Sequence, residues 1–292
     1  METLNIQILL HFSSKDLEKL LRSILFIDVE NRKEKVNFYF ADQSEDKKEF
    51  LIVQKLIEKA TKKVSPNINL ILYKQPNYGF GKGHNEEYRT NKEKYENSFI
   101  ILNPDSILPF DFITNIDMYL SQLEHENWGL LELKQFPSEH PKYFNAQTLE
   151  TNWVSGAGMI INIAAFENIG MFDENIFMYG EDVDLSMRMR INNYKILHLP
   201  KASFTHLTKD TDVSKESEFT RVSKQAAELY LRYKFGKDKD VERYIELIGE
   251  HDPHRKSIIK KFGEMKSKLE RRSFYKDFVD ENQDYTNFRW TL

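Results

Sequence analysis

Three carboxylates, Glu181, Asp182 and Asp184, lie within four positions at the predicted start of a helix. Free backbone N–H groups and the positive end of the helix dipole stabilise negative charge at such a position. The carboxylates therefore either cap a helix, or one of them serves as a general base at the rim of a pocket. The apolar residues that follow predict that this helix packs against a core: Val183, Leu185, Met187 and Met189.

A second set of residues suits a divalent cation. Asp105 follows an apolar, strand-like segment at 99–102, and its carboxylate could hold a hard cation through oxygen. His206 follows the strand-like residues 202–205 and could supply a nitrogen ligand, which suits Mn²⁺ as well as Mg²⁺. The alternative for His206 is a structural histidine. The other seven histidines show no comparable placement.

The segment Asn77–Asn85 contains three glycines ahead of a predicted helix. Glycine lets a backbone approach a ligand closely, and a helix N-terminus attracts phosphate. The pattern is neither the dinucleotide-binding Gly-x-Gly-x-x-Gly nor a P-loop, which disfavours a Rossmann dehydrogenase and an ATPase. It predicts a flexible ligand-binding loop.

The elements that must position these residues alternate between strand-like and helix-like patterns. This alternation predicts an α/β domain with a largely parallel sheet, in which ligands bind beyond the carboxyl ends of the strands. Asp42, Asn77 and Asp105 each follow a predicted strand and are expected at one edge of the sheet. The predicted strands cover 4–10, 36–41, 68–73 and 99–102, and the predicted helices cover 17–25, 46–63 and 84–96.

Composition limits the classes of function. The chain has 292 residues and a formal net charge of −4, which gives no sign of a general nucleic-acid binder. It contains no cysteine, which excludes disulfides, thiolate catalysis and Cys-ligated zinc. No apolar run is long enough to cross a bilayer, and the N-terminus lacks the pattern of a signal peptide. We expect a soluble cytoplasmic protein, with peripheral attachment to the inner face of the cell membrane as the alternative.

Beyond residue 210 the pattern changes to three predicted helices, 214–235, 238–249 and 254–273. From His254 to Lys276 there are nine lysines or arginines against two glutamates. The accompanying apolar stripe predicts either packing on the first domain, a basic surface for an anionic membrane, or a dimer interface. The stripe consists of Ile258, Ile259, Phe262, Met265 and Leu269.

Taken together, the motifs resemble glycosyltransferase family 2 with the GT-A fold, and especially its bacterial rhamnosyltransferase-like branch. The resemblance covers roughly residues 4–210. Each motif alone is weak, whereas their order and spacing together are specific. The matching segments are 41–44, Asn77–Asn85, 102–105, 155–161, 169–173 and 179–185, followed by His206.

The resemblance implies an inverting, metal-dependent transferase that builds a bacterial surface polysaccharide. The implied donor is dTDP-L-rhamnose, with UDP-galactose, UDP-glucose and UDP-N-acetylglucosamine as rivals, and the acceptor is a glycan or a lipid-linked glycan. The catalytic domain would span 1–212, with sugar-nucleotide binding in roughly 1–106 and acceptor binding and catalysis in 107–212. Residues 213–292 would form a C-terminal helical extension.

The resemblance also assigns roles by matching position. Asp182 would be the catalytic base, and Asp42 would hydrogen-bond the nucleotide base. Asp105 and His206 would hold Mn²⁺ or Mg²⁺. Asn103 stands where the family's metal motif has its first aspartate, so that one negative charge is missing. The nucleotide and phosphate site would further include Asn77, Gly79, Gly81, Lys82, Asn85 and Asn103.

The implied acceptor and sugar pocket consists of Trp153, Gly156, Ala157 and Glu181. Gly156 and Ala157 would border the donor sugar and the acceptor. Trp153 would form an apolar wall for a sugar ring, with a core tryptophan as the alternative. Glu181 and Asp184 would raise the pKa of Asp182 if they were buried close to it.

Two other classes compete with this interpretation. A nucleotidyltransferase would need a glycine-rich basic segment near the N-terminus, and residues 8–20 contain no glycine. A non-catalytic domain that only binds a sugar nucleotide or glycan is disfavoured because Asp105, Asp182 and His206 are all present.

Overall fold

A computed structural model of the protein describes residues 2–140, 142, 144–207 and 217–269. Within these residues, eight strands form one mixed sheet in the order β3-β2-β1-β4-β7-β6-β8-β5. The strands are β1 (Leu4–Leu10), β2 (Val36–Asp42), β3 (Ile68–Lys74), β4 (Ser98–Leu102), β5 (Ser106–Ile107), β6 (Trp128–Phe136), β7 (Gly158–Asn162) and β8 (Lys195–His206).

Nine α-helices accompany the sheet in the described part of the chain. They are α1 (Ser14–Ile24), α2 (Lys47–Thr61), α3 (Phe80–Asn91), α4 (Phe112–Gln122), α5 (Ile163–Asn168), α6 (Glu181–Ile191), α7 (Glu218–Phe235), α8 (Asp238–Ile248) and α9 (Arg255–Lys266).

The first half of the sheet is parallel, as the alternating pattern predicts. Strands β3, β2, β1 and β4 pair in parallel, and every residue of β4 is buried. Runs of apolar residues in such strands reflect cover by helices on both faces. The carboxyl ends of β1, β2 and β4 therefore lie at one edge of the sheet.

The second half of the sheet is mixed. Strand β7 runs antiparallel to both β4 and β6, while β6 and β8 pair in parallel. The two-residue strand β5 pairs antiparallel with the end of β8, with Ser106 opposite His206. This pairing brings the end of β8 to the segment that follows β4.

Separate apolar cores cover the two faces of the sheet. One core contains side chains of α1, α2 and α4, among them Leu17, Val53 and Ile116. The other contains side chains of α3, α5 and α6, among them Tyr88 and Phe166. The predicted α/β architecture, with helices on both faces of a mainly parallel sheet, is confirmed.

Helix α3 begins at Phe80, four residues earlier than predicted. The sequence predicts a flexible ligand-binding loop over the glycines that lie ahead of the predicted helix. The structure places Gly81 and Gly83 inside the helix instead. A Cβ atom at Gly83 would lie 2.4 Å from Gln43 Nε2 and 2.7 Å from Leu9 Cδ1. These glycines therefore let the helix approach its neighbours closely.

The C-terminal helices form a small core of their own. Ile258, Phe262 and Met265 of α9 are buried in it with residues of α7, whereas Ile259 stays 37% exposed. The apolar stripe of α9 thus packs mainly on α7, and Ile176 is the member of this core that comes from the predicted first domain. Residues 270–276 of the basic segment, and the predicted domain boundary at 212/213, lie outside the described residues.

No helix in the described ranges is both long enough and apolar enough to cross a membrane.

Candidate active site

The predicted metal residues Asp105 and His206 lie together. The pairing of β5 with β8 places His206 Nε2 3.3 Å from Asp105 Oδ1. Asn103 Nδ2 also lies 3.3 Å from His206 Nε2. Strand pairing therefore collects three polar side chains from two distant parts of the chain at one point of the sheet edge.

Gln135, at the end of β6, orients His206. His206 Nδ1 lies 3.0 Å from Gln135 Oε1, so a proton on Nδ1 makes a hydrogen bond to that oxygen. In the neutral ring Nε2 then carries the lone pair and faces Asp105. Two electron-pair donors that converge at this distance repel each other unless a cation or a proton lies between them. The pair thus fits a divalent cation, with the second-shell hydrogen bond usual for a metal-ligating histidine.

Few protein side chains at this point could serve as ligands to a metal ion. In the ranges that the structure describes, no group of three or more His, Asp or Glu side chains could hold a metal ion. A cation held by Asp105 and His206 would have most of its coordination positions open to oxygen atoms from other molecules. Such a site suits an ion that is bound largely through substrate phosphates.

Asp42 lies at the end of β2 and is buried. Ser44 Oγ donates to Asp42 Oδ1 at 2.6 Å, and the backbone N–H of Phe12 donates to Ser44 Oγ at 2.9 Å. These bonds tie the loop after β1 to the loop after β2.

Phe12 is a residue that the sequence analysis did not single out. Its φ is +51° and its side chain is 59% exposed. A left-handed conformation is costly for a bulky non-glycine residue, and such strain is concentrated at functional sites. The exposed ring therefore offers a flat apolar surface in the loop that is hydrogen-bonded, through Ser44, to the Asp42 loop.

The segment from Asn77 to Lys82 is held by its own hydrogen bonds. Asn77 Oδ1 accepts from Gly79 N–H at 3.2 Å. Gly79 has a φ of +79°, and a Cβ atom there would lie 2.0 Å from Phe177 O, which only glycine avoids. Lys82 Nζ lies 3.7 Å from Glu174 Oε2 and 5.0 Å from the ring centre of Tyr78.

Asn85 is fully buried within α3. Its Nδ2 donates to Phe172 O at 3.0 Å, and its Oδ1 accepts from Phe172 N–H at 3.1 Å. Both ends of the amide are thus engaged by one backbone residue, which favours a structural role for Asn85 over contact with a ligand.

Asp182 stands at the start of α6 and is fixed by two backbone donors. Its Oδ2 accepts from Gly156 N–H at 2.9 Å, and its Oδ1 accepts from Val183 N–H at 2.8 Å. Burial raises the pKa of Asp182 above its usual range, although these hydrogen bonds act in the opposite direction. A carboxylate with a raised pKa is a stronger base than an ordinary aspartate.

Glu181, the neighbour of Asp182, is only 6% exposed. Its Oε2 has no hydrogen-bond partner. Burial, with help from the charges of Asp182 and Asp184, raises the pKa of Glu181 to about 8. At neutral pH this carboxyl group therefore keeps its proton. The prediction that Glu181 and Asp184 raise the pKa of Asp182 is corrected: burial raises the pKa of Asp182, and the charges of Asp182 and Asp184 instead act on Glu181.

Asp184 is a structural carboxylate, as its spacing from Arg188 predicts. Arg188 Nη2 lies 2.7 Å and Lys234 Nζ 2.5 Å from its two oxygens. Lys234 also lies 2.8 Å from Asp173 Oδ2, which accepts a hydrogen bond from Tyr230 Oη at 2.7 Å. This buried network attaches α7 to the helix that carries Asp182.

The segment 153–157 connects Asp182 to Asn103, which follows β4. Gly156 holds Asp182, and Ala157 O accepts from Asn103 N–H at 3.0 Å. A Cβ atom at Gly156 would lie 3.0 Å from the Phe80 ring, so a larger residue there would disturb the segment. Trp153 is buried among Val183, Met187, Ile191, Leu231 and Phe235, which favours its interpretation as a core tryptophan.

His140 lies near Asp182 and was not distinguished by the sequence analysis. Its ring centre is 5.3 Å from that of Trp153. Burial lowers the pKa of His140, while the negative charge of Asp182 opposes that shift. The residue occupies a loop without a strand or helix pattern, so the sequence carried no signal for its position.

The geometry can be compared with known proteins. No family model matches the chain. The rhamnosyltransferase WbbL of Escherichia coli is 23% identical over 163 residues, which cover 44% of this chain and 61% of WbbL. The N-acetylglucosaminyl-diphospho-decaprenol L-rhamnosyltransferase of Mycobacterium tuberculosis is 36% identical over 70 residues, 24% of this chain and 20% of that protein. The chain therefore covers less than two thirds of either relative.

Solved structures resemble the chain over nearly its whole length. The mannosyltransferase PcManGT from Pyrobaculum calidifontis, in complex with GDP-Man and Mn²⁺, has a TM-score of 0.59 and 13% identity, over 98% of this chain and 81% of that chain. TarS from S. aureus in complex with UDP-GlcNAc has a TM-score of 0.53 and 13% identity, over 98% of this chain and 93% of that chain. This likeness confirms the predicted GT-A fold.

Proposed function

We propose that the protein is an inverting, metal-dependent glycosyltransferase that moves a sugar from a nucleotide-diphosphate donor to a glycan or lipid-linked glycan. The favoured donor is dTDP-L-rhamnose, because two relatives of the chain are named rhamnosyltransferases. The rival donors are UDP-galactose, UDP-glucose and UDP-N-acetylglucosamine. The proposed setting is the synthesis of a bacterial surface polysaccharide on the cytoplasmic side of the membrane.

One observation carries this proposal. The proposed metal residues and base are connected through two adjacent residues, since Gly156 N–H donates to Asp182 and Ala157 O accepts from Asn103, which lies 3.3 Å from His206. A transferase needs a group that stabilises the leaving diphosphate and a base for the acceptor at a fixed separation. The short segment 156–157 contacts both Asp182 and Asn103, and it therefore supports a fixed separation between the proposed base and the proposed metal residues.

The proposed chemistry assigns one proton transfer to this chain. Asp182 takes the proton of an acceptor hydroxyl. The hydroxyl oxygen at the same time attacks C1 of the donor sugar, on the face opposite the leaving group. The C1–oxygen bond to the diphosphate breaks, the new glycosidic bond forms, and the configuration at C1 is inverted. The fixed hydrogen bond from Gly156 orients one oxygen of the base, and burial of its carboxylate strengthens its basicity.

Asp105 and His206 would hold Mn²⁺ or Mg²⁺, with Asn103 beside them. When bound, the cation supplies positive charge that neutralises the departing diphosphate, so that the leaving group needs no proton. Gln135 keeps His206 in the orientation and tautomer that direct Nε2 to this point.

The nucleotide is proposed to lie at the loops after β1 and β2. Asp42 would hydrogen-bond the base, and the exposed ring of Phe12 suits stacking against its flat face. The Asn77–Lys82 segment follows the neighbouring strand β3 and would border the ribose and phosphates. In this proposed arrangement the sugar would lie between Asp105 and Asp182.

The experiment that tests the function is a panel of sugar nucleotides assayed for transfer, for slow hydrolysis and for thermal shift. We expect the protein to be stabilised by one nucleotide-diphosphate sugar only when Mn²⁺ or Mg²⁺ is present. Asp105→Ala and His206→Ala should each weaken that stabilisation, because each removes a proposed ligand. His125→Ala, which removes an exposed histidine, is the matched control.

Two results would contradict the proposal. Full transfer in excess chelator would show a metal-independent enzyme of the same fold. Donor binding without hydrolysis or transfer, across a broad set of glycan acceptors, would instead favour the non-catalytic binding domain.

A further inference from the structure

We propose that Glu132, Lys142 and His198 form a positioning cluster that fixes the peptide holding the catalytic base. This inference deepens the proposed function and rests on it, because it assigns three further residues to the support of Asp182. Glu132 is in β6, His198 is in β8, and Lys142 is in the loop between β6 and β7.

Glu132 is the centre of the cluster and is only 2% exposed. Its Oε1 accepts from the backbone N–H of Ser155 at 3.1 Å and from the ammonium group of Lys142. Its Oε2 lies 3.2 Å from His198 Nδ1. One buried carboxylate thus receives a backbone donor, a lysine and a histidine.

The backbone contact is next to the base. Ser155 N–H is held by Glu132, and the next residue, Gly156, donates its N–H to Asp182 Oδ2 at 2.9 Å. Both bonds lie within two consecutive residues, so a shift of the Ser155 peptide displaces the donor that orients Asp182. A strand residue in the centre of the sheet is a rigid support for this contact, since Glu132 lies opposite Met159 of β7.

The two basic partners keep Glu132 ionised despite its burial. A buried carboxylate without partners would take up a proton, which would weaken its hydrogen bond to Ser155. His198 and Lys142 instead hold the pKa of Glu132 below its usual range. Lys142 also donates to Trp153 O at 3.0 Å and lies 4.2 Å from the Trp153 ring centre. The cluster therefore holds the supporting segment at Trp153 as well as at Ser155.

A fold-stabilising ion pair would not need this arrangement. A structural carboxylate such as Asp184 is bonded to side chains of its own helix and of α7. Glu132 places one oxygen on the peptide that precedes the support of the base. Its effect on catalysis should therefore depend on whether Asp182 is present as a base.

The test combines two substitutions of Glu132 with a change of the base. Glu132→Ala removes the acceptor of Ser155 N–H, and we expect kcat to fall about 10–100-fold, as for other outer-shell supports. Glu132→Gln keeps a neutral carbonyl acceptor, so we expect a loss of only about 3–10-fold, since hydrogen bonds to charged groups are about twice as strong. The KM for the donor should change little in either variant.

In the Asp182→Asn background, both Glu132 substitutions should cost less than about 3-fold, because residues that act as a unit are not additive. Glu87→Gln is the matched control, since Glu87 is also fully buried but is hydrogen-bonded to Tyr95 and Asn91 of its own region. It should leave kcat within about twofold of the original, the usual outcome for a site outside a catalytic unit.

Amide hydrogen exchange supplies a readout that does not depend on transfer. Ser155 and Gly156 should exchange faster in Glu132→Ala than in the original protein, with an intermediate rate in Glu132→Gln. If the original protein transfers no sugar, the proposed function fails, and the exchange rates still decide whether Glu132 positions the segment.

The positioning role would be overturned by unchanged exchange of Ser155 and Gly156. It would also be overturned if the Glu132 substitutions reduced kcat by the same factor with and without Asp182. Should Glu132→Ala not fold, Glu132→Gln decides the matter, and a change in kcat below about twofold in that variant would reject the role.

Discussion

Helix α6 carries two kinds of carboxylate within four residues. Asp184 is fully buried between Arg188 and Lys234, both within 2.7 Å of its oxygens. Glu181 and Asp182, at the N-terminal end, have no such cationic partner in the described hydrogen bonds and ion pairs, and both have raised pKa values. Residues of the same chemical type in one helix therefore differ because of the charges that face them.

The difference in partners distinguishes the structural carboxylate Asp184 from Asp182, for which we propose a chemical role. The charge of a carboxylate such as Asp184 is engaged by cations, whereas the oxygens of Asp182 are hydrogen-bonded only to backbone N–H groups, and burial raises its pKa. Asp184 pairs with Lys234 and so attaches α7 to α6. Asp182 is the proposed base, and Glu181 keeps its own proton at neutral pH.

The largest expected effect comes from the base. Asp182→Asn keeps the size of the side chain and an oxygen that can accept from Gly156 N–H, so the fold and donor binding should survive. Transfer should fall by about 10²–10⁴-fold, the usual contribution of a positioned base. Single-turnover rates and donor affinity would measure the two properties separately.

Asp184→Asn is the matched comparison for the base. It should lower stability and leave the transfer rate of the folded protein close to normal. Near-normal transfer by Asp182→Asn, or a larger catalytic loss in Asp184→Asn, would remove the distinction between the two carboxylates.

The next largest effect concerns Lys234, the cation that pairs with Asp173 and Asp184. Lys234→Met leaves Asp173 and Asp184 buried with one positive partner fewer, and breaking such a pair typically costs about 3–5 kcal/mol of unfolding free energy. Urea unfolding would measure this loss. Lys239→Met removes an exposed lysine of α8 and should cost almost nothing. Equal stability of the two variants would show that the buried network contributes little.

The pH dependence of stability tests the protonation of the buried Glu181 carboxyl group. The pKa of Glu181 in the folded protein is raised from its usual 4.5 to about 8. Between these values the folded protein holds a proton that the unfolded chain has released. The contribution of Glu181 to stability is therefore fully present below pH 4.5 and is lost as the pH rises through about 8.

Glu181→Gln should remove this loss and flatten the stability profile, with a gain on the order of a few kcal/mol at alkaline pH. Unfolding in urea near pH 5 and pH 8.5 would measure the slope. Glu87→Gln should flatten the profile less, since the pKa of Glu87 is raised only to about 7. An unchanged slope in Glu181→Gln would mean that Glu181 is ionised in the folded protein.

The smallest expected effect concerns the geometry of the ion pair between Asp184 and Arg188. Arg188 bonds Asp184 and also donates from Nη1 to Ile169 O at 2.9 Å. Arg188→Lys keeps the charge but cannot make both contacts, so a loss of about 1–2 kcal/mol in unfolding free energy is expected. Thermal unfolding at neutral pH would detect it. No loss at all would indicate that charge alone, without the planar guanidinium, secures Asp184.

Several features of the site followed from local sequence pattern. Asp42 and Asp105 were predicted at one edge because each follows a strand, and the parallel pairing of β1, β2 and β4 confirms that edge. The ion pair of Asp184 with Arg188 follows from their spacing of four residues on a helix. Period and spacing are properties of neighbouring residues, so they can be predicted without knowledge of the rest of the chain.

Other features depend on parts of the chain that no local pattern connects. Gly81 and Gly83 were predicted in a flexible ligand-binding loop, because glycine lets a backbone approach a ligand closely. Glycine also disfavours helices. Close packing of α3 against Gln43, Leu9 and Phe172 overrides that preference in the folded protein. The strained conformation of Phe12 and the position of His140 beside Trp153 likewise had no signal in sequence order.

The sequence by itself determined the alternation of strands and helices, the edge at which the polar residues gather, and the start of α6 at the three carboxylates. Only the tertiary structure decided which carboxylate is paired, because Lys234 reaches Asp184 from 50 positions away. It also decided that His206 meets Asp105 and that Glu132 holds Ser155. Burial and charge pairing depend on residues that are distant along the chain and become neighbours only when the sheet and its helices assemble.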